Sequence, residues 1–554
     1  MRHPIPALTL ALTTFSTGCG DSATTTAAAD DDGVMLTSTG ASAEEDGEAD
    51  TSGGTPTTGD ESTGAPFEPF PARGEVKVLK VEANPGVAIV LEENGVPLSG
   101  ADRNAYLPKS RDALLRVFLD VPDDWTARKL EGRVELSGGG VEATYTDVFV
   151  IEGDTLANTI DSGPYFGLRA EHVVPGVKYR VSLWEAEPGQ EDAPESATPP
   201  VSPLDGPAPL GVESAFAELR VVLVPVDYAF GQCAAVVDGE AQRVPFSDAL
   251  LQQNAVESLD LQVHAPFEVR YDLTEFNGLS KLVGEMSQLR AAEDADPNVY
   301  YYGLFDNCGG CIGAGGGILS GCTVGLAFDI TGSDMEDAFA RAAAGQLNSG
   351  ADDTFVHEIG HVQGRRHIEC AGAGVEASGT DPSYPYDGGV IGKWGFGIRD
   401  FRMRHPNTNA DYMSYCGQTW VSDWQWNATY KRIIELSSWS IAGAPAGAGQ
   451  LVGTIEPDGT EMWWTVPGEF AAARAGATHS VTFDFADGTV AAPAQVRMRH
   501  DGDTLIVSTG LPANFDGRAL TGLRVRDERG ERPIALSGVR FLHRPLPLSA
   551  GSPR

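Results

Sequence analysis

The sequence contains no apolar segment long enough to cross a bilayer. A membrane-spanning helix needs about 20 consecutive apolar residues. The first apolar stretch covers only residues 4–15, and no later stretch approaches that length. A short apolar stretch behind the basic Arg2 is typical of a signal peptide, which we expect to cover residues 1–18. The sequence therefore predicts an exported protein without a transmembrane helix.

The residues that follow this stretch resemble a bacterial lipobox. They read Ser-Thr-Gly-Cys, which makes Cys19 the expected site of lipidation. Because Ser16 stands where a leucine-like residue is usual, a plain secretory signal is the alternative. The first interpretation gives an outer-membrane or cell-surface lipoprotein that touches the membrane only through its lipid anchor. The second gives a secreted protein.

Basic residues are also scarce. The chain has 39 Lys and Arg against 78 Asp and Glu, a formal net charge of −39. This balance argues against nucleic acid and anionic membrane surfaces as partners. Residues 19–66 are rich in Thr, Ala, Gly, Ser and acidic residues and have almost no large apolar side chains. Such a composition cannot offset its ordering entropy by burial, so we expect a disordered acidic linker after Cys19.

Only seven cysteines occur in 554 residues. If Cys19 carries lipid, six remain, and an even number in an exported protein predicts three disulfides. Their spacing alone does not decide the pairing. Cys308 and Cys311 form a CxxC, but the two glycines between them and the export signal argue against a redox pair or a second zinc site.

Histidine is rare as well, yet three of the ten lie in one short segment, HEIGHVQGRRH. On a helix His357 and His361 are one turn apart and project from one face. Gly364 can take the left-handed conformation that ends a helix, which returns His367 toward the other two. Three imidazoles leave one position of a tetrahedral zinc ion open, and Glu358 beside them can serve as general base. The sequence predicts one catalytic Zn²⁺ and does not decide whether calcium is bound.

The HExxHxxGxxH spacing resembles the long motif of the metzincin zinc metallopeptidases. The resemblance implies a catalytic domain with a mixed twisted sheet and a zinc helix, and a peptide substrate held along a sheet edge, for which residues 316–320 are the candidate. Ile368 and Glu369 stand where many members carry Asp, so the subfamily stays open. The implied activity is a zinc endopeptidase that cleaves extracellular or cell-surface proteins, including glycoproteins.

Residues 411–417, DYMSYCG, resemble the methionine turn of the same family. The resemblance implies that Met413 forms an apolar floor under the metal. It also implies a catalytic role for Tyr415, since a tyrosine at this offset in astacin-like and serralysin-like members stabilises the oxyanion. Cys370 and Cys416 follow the third histidine and the turn methionine by three residues each, so we expect them to lie near this floor and to bond to each other.

Alternating apolar residues and Pro/Gly punctuation indicate β-structure in residues 67–210 and again in 448–546. Between them, residues 214–440 contain a buried strand at 219–226, a helical spacing of apolar residues from Leu279 to Leu289, and a helix at about 426–439. We therefore expect an α+β fold with a metzincin-like catalytic domain flanked by two β-sandwich-like domains. The first of these is a propeptide, a binding module or a spacer, and the role of the second is open.

A different class of function also fits the sequence. The two β regions are compatible with a cell-surface protein that binds proteins or glycans and has a vestigial or structural zinc site. Glu358 argues against this alternative, because a structural zinc site needs no general base. A protein or peptide is the partner expected of the peptidase, and a monomer is the default oligomeric state.

Overall fold

The computed structural model describes residues 67–313, 322–328, 335–370, 379–442, 449–468, 470, 478–499, 504–513, 515, 520–527 and 530–542. Contacts group Pro66–Arg554 into one compact unit, to which all of these belong. The predicted signal peptide, Cys19, the acidic linker and the candidate edge at 316–320 lie outside the described residues. In the described part, no helix has the length and apolar character needed to cross a membrane.

The N-terminal region forms two antiparallel sheets. One has the strand order β4-β3-β2-β5-β8, and the other has β1-β9-β6-β7 with β10 and β11 also paired to β9. The longest hairpin, β6–β7, turns through Gly138, Gly139 and Gly140, which all have the positive φ that glycine adopts without strain. The strands of this region are β1 (Phe70–Pro71), β2 (Lys77–Asn84), β3 (Ile89–Glu93), β4 (Val96–Pro97), β5 (Ala113–Asp120), β6 (Arg128–Gly138), β7 (Val141–Ile151), β8 (Tyr165–Leu168), β9 (Lys178–Glu185), β10 (Val201–Ser202) and β11 (Ala208–Pro209).

The middle region contains the four α-helices of the described residues and a seven-stranded sheet. Its helices are α1 (Gly239–Gln253), α2 (Phe276–Ala292), α3 (Ala351–Val362) and α4 (Asp423–Ala442). Its strands are β12 (Glu218–Phe230), β13 (Cys233–Val236), β14 (Ser258–Val263), β15 (Phe267–Val269), β16 (Val299–Phe305), β17 (Ile312–Gly313), β18 (Cys322–Thr323), β19 (Gly325–Ala327), β20 (Ala342–Gln346), β21 (Gly395–Gly397), β22 (Arg402–Arg404), β23 (Ala410–Asp411) and β24 (Thr419–Trp420).

The sheet of the middle region has the order β13-β12-β16-β20-β19, with β14 and β15 paired to β12. The pairings β12–β16 and β16–β20 are parallel, whereas β19 runs antiparallel to β20 at the end of the order. Helices α1 and α3 cover one face, where Phe246, Tyr302 and Phe355 pack ring against ring. Helix α2 covers the other face, where Met286 and Tyr301 share one apolar cluster. This two-sided cover explains why the strands are almost continuously apolar.

The C-terminal region is an eight-stranded sheet in the order β31-β30-β27-β28-β29-β25-β26-β32. Val452 and Trp464 on this sheet belong to the same apolar cluster as α2, so the sheet packs on the middle region. Its strands are β25 (Gln450–Ile455), β26 (Glu461–Val466), β27 (Ser480–Phe485), β28 (Gly488–Met498), β29 (Leu505–Gly510), β30 (Leu520–Asp527), β31 (Gly530–Ile534) and β32 (Val539–Arg540).

The fold class expected from the sequence, α+β with a metzincin-like catalytic domain between two β-sandwich-like domains, is wrong. The described residues are mostly β, with 32 strands against four α-helices. The expectation failed because many strands of the middle region, such as β17, β18 and β21–β24, are two or three residues long. Such strands are too short for a period-two pattern to show in the sequence. The domain boundaries drawn from the sequence stay predictions.

The N-terminal sheets and the middle region share one apolar cluster, which includes Ile89 of β3 and Trp426 of α4. Arg111, only 3 % exposed, lies at this junction. Its guanidinium donates to the carbonyl oxygens of Pro85, Leu251 and Asn254 at 2.5–3.0 Å. A buried guanidinium is tolerated only when its N–H groups are satisfied in this way. The two regions are therefore joined by polar as well as apolar contacts.

Candidate metal centre

Helix α3 carries the first two histidines of the motif. Its buried side packs into the apolar cluster against the sheet through Phe355, Val356 and Ile359. Asp352 and Asp353 lie in its first turn, where the partial positive charge of a helix N-terminus favours carboxylates. The apolar side fixes the helix on the sheet and thereby fixes the direction in which the histidines project.

The end of α3 is set by Gly364, which has a φ of 80°. The backbone N–H of Arg365 donates to the carbonyl of Gly360 at 2.9 Å, and the N–H of Gly364 donates to the carbonyl of His361 at 2.7 Å. These are the two hydrogen bonds of a Schellman motif, and the left-handed residue at its centre favours glycine. The chain therefore reverses direction sharply at the C-terminal end of α3, which brings His367 back toward the helix.

The three histidines of the motif converge through their Nε2 atoms. The Nε2 atom of His361 lies 3.0 Å from that of His357 and 3.1 Å from that of His367. His361 and His367 are buried and His357 is half-buried. They are the group of residues that could hold a metal ion within the described part of the chain.

The tautomers of two of these rings are set by backbone carbonyls. The Nδ1 atom of His357 lies 2.7 Å from the carbonyl oxygen of Tyr412, and that of His361 lies 3.0 Å from the carbonyl oxygen of Arg365. A carbonyl only accepts, so Nδ1 carries the proton and Nε2 presents its lone pair. In tetrahedral zinc sites with Zn–N distances of about 2.0–2.1 Å, ligand nitrogens lie roughly 3.3 Å apart. The spacing and chemistry of this donor set therefore fit a zinc ion.

Glu358 lies beside the first histidine and is 5 % exposed. Its carboxylate faces strand β19, where a Cβ added to Gly325 would meet its Oε1 at 2.5 Å. The fully buried Tyr302 lies behind it. Burial raises the pKa of the Tyr302 phenol well above its usual value, and the nearby negative charge of Glu358 raises it further. Glu358 is therefore held between the sheet and the helix rather than extended into solvent.

The segment 411–417 packs against helix α3 and contacts His357. Met413 is fully buried, and its Sδ lies against Gly360 of α3, where no side chain intervenes. The carbonyl of Met413 accepts the N–H of Ile368 at 2.9 Å, which ties the turn to the residue after His367. The structure thus brings the two predicted motifs together, through side-chain packing on the helix and a backbone bond beside the third histidine.

The turn itself is organised by Asp411, which is fully buried. Its Oδ1 accepts the N–H of Met413 at 2.9 Å, and its Oδ2 accepts the N–H of Ser422 at 3.3 Å and the hydroxyl of Tyr384 at 3.3 Å. Burial raises the pKa of Asp411 to about 6, although hydrogen bonds from Ser422, Met413 and Tyr384 oppose the shift. The carboxylate fixes the loop that presents the Tyr412 carbonyl to His357.

Tyr415 lies over the open side of the histidine group. Its ring centre is 4.6 Å from that of His367 and 5.9 Å from that of His357. Its side chain is 43 % exposed, so it borders the site on the solvent side. The residue is placed where its hydroxyl can reach a group bound in front of the three Nε2 atoms.

Three disulfides are present, as the cysteine count predicts. Cys370 bonds Cys416, which confirms the predicted pair and joins the segment after His367 to the end of the methionine turn. The two cysteines of the CxxC have different partners, because Cys308 bonds Cys233 and Cys311 bonds Cys322. Disulfides of this kind persist in oxidising compartments, so the protein is extracellular or periplasmic.

Sequence reasoning missed several residues that shape the site. The acceptor carbonyls of Tyr412 and Arg365 carry no signal in a sequence, because any residue supplies a carbonyl. Asp411 had a weak signal, since an acidic residue two positions before a buried methionine suggests a side chain that caps the turn. Gly325 and Gly345 had none, because their importance depends on which strands pair.

Comparisons with known proteins give matches among solved structures. No protein-family model and no curated protein matches it. A solved chaperone-substrate complex is 12 % identical over 50 % of this chain and 40 % of its own, with a TM-score of 0.22. The chain thus covers less than half the length of that structure. A chain described as a beta-galactosidase from Bacteroides fragilis is 10 % identical over 81 % of this chain and 72 % of its own, with a TM-score of 0.13. Scores this low carry no argument about fold or function.

Proposed function

We propose that the protein is a zinc-dependent endopeptidase that hydrolyses peptide bonds of proteins outside the cytoplasm. The observation that carries the proposal is the convergence of the Nε2 atoms of His357, His361 and His367. Glu358 directly follows the first of these histidines in the sequence. A zinc ion bound by these atoms would supply Lewis-acid activation of a water and of the substrate carbonyl. The motif spacing supports a relationship to the metzincins at the level of this centre and not of the whole fold.

Two side chains of the protein act on the attacking water and on the substrate carbonyl. Glu358 accepts a proton from the attacking water and later delivers it to the leaving amine, since it is the carboxylate adjacent to the histidines. The hydroxyl of Tyr415 donates to the carbonyl oxygen of the substrate as negative charge develops there. Attack by water requires no serine or cysteine nucleophile, and no acyl-enzyme forms. The Met413 turn and the Cys370–Cys416 disulfide hold these groups in place.

The substrate class follows from location and access. The disulfides place the protein outside the reducing cytoplasm. Tyr415 is 43 % exposed, so one side of the histidine group borders solvent, from which a polypeptide would have to approach. We assign extracellular or cell-surface proteins, glycoproteins among them, as substrates. The protein reaches them as a lipoprotein anchored at Cys19 or as a secreted enzyme.

A peptide-library digest tests the proposal. The purified full chain, its Glu358→Ala variant and a surface control, Glu240→Ala, are incubated with a diverse peptide mixture, with and without a chelator. Cleavage by the wild type and the control, loss of cleavage with chelator, recovery with added zinc and no cleavage by Glu358→Ala are the expected results. Glu240 is an exposed residue of α1. If the wild type binds zinc and cleaves nothing, the centre is structural and the peptidase proposal is wrong.

A further inference from the structure

Two glycines face α3 from neighbouring strands. Gly325 on β19 and Gly345 on β20 are direct partners in the antiparallel ladder. Directly paired residues project to the same face of a sheet, and α3 packs on these two strands. We call Gly325 and Gly345 the glycine pair. Neither has a positive φ, so the backbone conformation does not require glycine at either position.

The space left by the glycine pair is filled by three side chains. A Cβ built on Gly325 would lie 2.5 Å from Oε1 of Glu358, 2.8 Å from its Cγ and 2.7 Å from Cγ2 of Thr354. A Cβ built on Gly345 would overlap the hydroxyl of Tyr302 and lie 3.2 Å from the same Thr354 methyl. Cβ contacts below 3.0 Å essentially do not occur in folded proteins, so a side chain at either position would force one of these neighbours to shift.

We propose that Gly325 is a positioning residue for Glu358. The missing side chain lets the carboxylate of Glu358 settle against the backbone of β19, and Thr354 one turn earlier on α3 fills the rest of the space. The inference rests on the proposed peptidase function, in which Glu358 is the general base. It adds that strand β19 sets where the carboxylate stands relative to the three histidines.

The physical consequence concerns the distance over which a proton is transferred. A general base acts only within hydrogen-bond reach of its proton donor, about 2.6–3.2 Å. A methyl group at position 325 would displace the carboxylate, because the end of a flexible side chain shifts more easily than the Thr354 methyl or the paired backbone of β19 and β20. A misplacement of about 1 Å lowers turnover by up to roughly a hundredfold. Substrate affinity would change little, because Glu358 acts on the proton and not on the bound peptide.

The test uses the full chain and three variants. Gly325→Ala adds the methyl group. Thr354→Ser removes the Cγ2 methyl that shares the space, and the double variant combines both changes. Gly313→Ala on β17 is the matched control, since an added Cβ there meets no atom within 4 Å. For each, kcat and KM on one library-derived peptide, zinc content after dialysis and melting temperature are measured.

The expected result for Gly325→Ala is a kcat lower by about tenfold to a hundredfold, with KM within about twofold and zinc content equal to wild type. The double variant should recover most of this loss, because the carboxylate can move into the space vacated by the Thr354 methyl. A merely structural role for Gly325 would lower the melting temperature without this split between kcat and KM and without the recovery.

The outcomes separate this inference from the proposed function. If the wild type is active and Gly325→Ala has unchanged kcat, or loses zinc together with activity, or is not rescued by Thr354→Ser, the inference is wrong and the peptidase proposal stands. If the wild type and Glu358→Ala are equally inactive, the proposed function itself fails. If Gly325→Ala does not fold, Thr354→Ser alone decides. It should loosen Glu358 and lower kcat about threefold at constant KM, and an unchanged kcat would overturn the inference.

Discussion

The hydroxyl oxygen of Tyr415 lies 2.9 Å from Nε2 of His367, at the point where the three imidazole rings meet. This contact joins the methionine turn to the third histidine across 48 positions of sequence. It also means that the phenol contacts a nitrogen atom that would bind the metal ion. Tyr415 is 43 % exposed, which leaves the hydroxyl room to move when Nε2 of His367 binds a metal ion.

Replacing Tyr415 by Phe should separate the role of its hydroxyl in catalysis from metal binding by His367. The oxyanion donor is lost, and removal of one such donor typically costs about two to three orders of magnitude in kcat. Zinc content should stay equal to that of the wild type, because the phenol is not one of the three nitrogen donors. Steady-state kinetics with metal analysis of the same preparation checks both points. A variant with wild-type turnover would make Tyr415 an ordinary residue at the rim of the site.

Replacing His367 by Ala should release zinc. One of three protein ligands is removed, and a large share of the metal-binding free energy goes with it. His479→Ala is the control, since His479 lies on the C-terminal region and contacts Thr478. Zinc is measured after dialysis against a weak chelator. Equal retention by the two variants would show that His367 is not a ligand.

The disulfide beside the centre should stabilise both the fold and the metal site. Cys370 and Cys416 are 46 residues apart, and closing a loop of that size stabilises by about 2–4 kcal/mol. We expect the Cys370→Ser/Cys416→Ser variant to lose about that much unfolding free energy and to bind zinc more weakly. The control pair, Cys311→Ser/Cys322→Ser, closes an 11-residue loop and should keep wild-type zinc affinity. Equal zinc affinity in both double variants would contradict the prediction.

Asp411 should make stability fall as pH rises. Its folded-state pKa is raised from 3.8 to about 6, so the folded state binds the proton more tightly than the unfolded state does. The favourable contribution is complete below about pH 4 and is lost as pH rises through 6. Relative to Asp411→Asn, which does not titrate, the wild type should lose up to about 3 kcal/mol between pH 4 and pH 7. Urea unfolding of both metal-free proteins at the two pH values measures this, and parallel pH dependences would refute it.

The sequence predicted those parts of the structure whose signals are local. The apolar spacing from Leu279 to Leu289 predicts a helix, and α2 covers Phe276–Ala292. Helix α1 was missed because it contains Pro245 and has no apolar stripe at helical spacing. The Cys370–Cys416 pair was predicted because the two motifs around it imply a common floor. The predominance of β-structure was not predicted, because short strands are specified by the strands they pair with and not by their own residues.

Some residues of the candidate centre are also recognisable from the sequence, and others are not. His357, Glu358, His361 and His367 are recognisable from their spacing, because one helical turn and one glycine-terminated reversal fix their relation. The groups that hold these residues in place are not recognisable from the sequence. The role of a backbone carbonyl or of a glycine depends on which part of the chain packs against it. Gly325 is of this second kind, and Asp411 gave only a weak signal before its hydrogen-bond partners were known.

The buried guanidinium of Arg111 bears on whether the N-terminal region can be removed after folding. A pro-segment that is discarded on activation has to leave without damaging what remains. Removal of the N-terminal region would strip the carbonyls of Leu251 and Asn254 of their donor and expose the apolar surface around Trp426 to water. Cleavage of the chain near residue 200 would therefore give a nicked protein whose two pieces stay together. This burial argues against a discarded propeptide and favours a binding module or a spacer as the role of the N-terminal region.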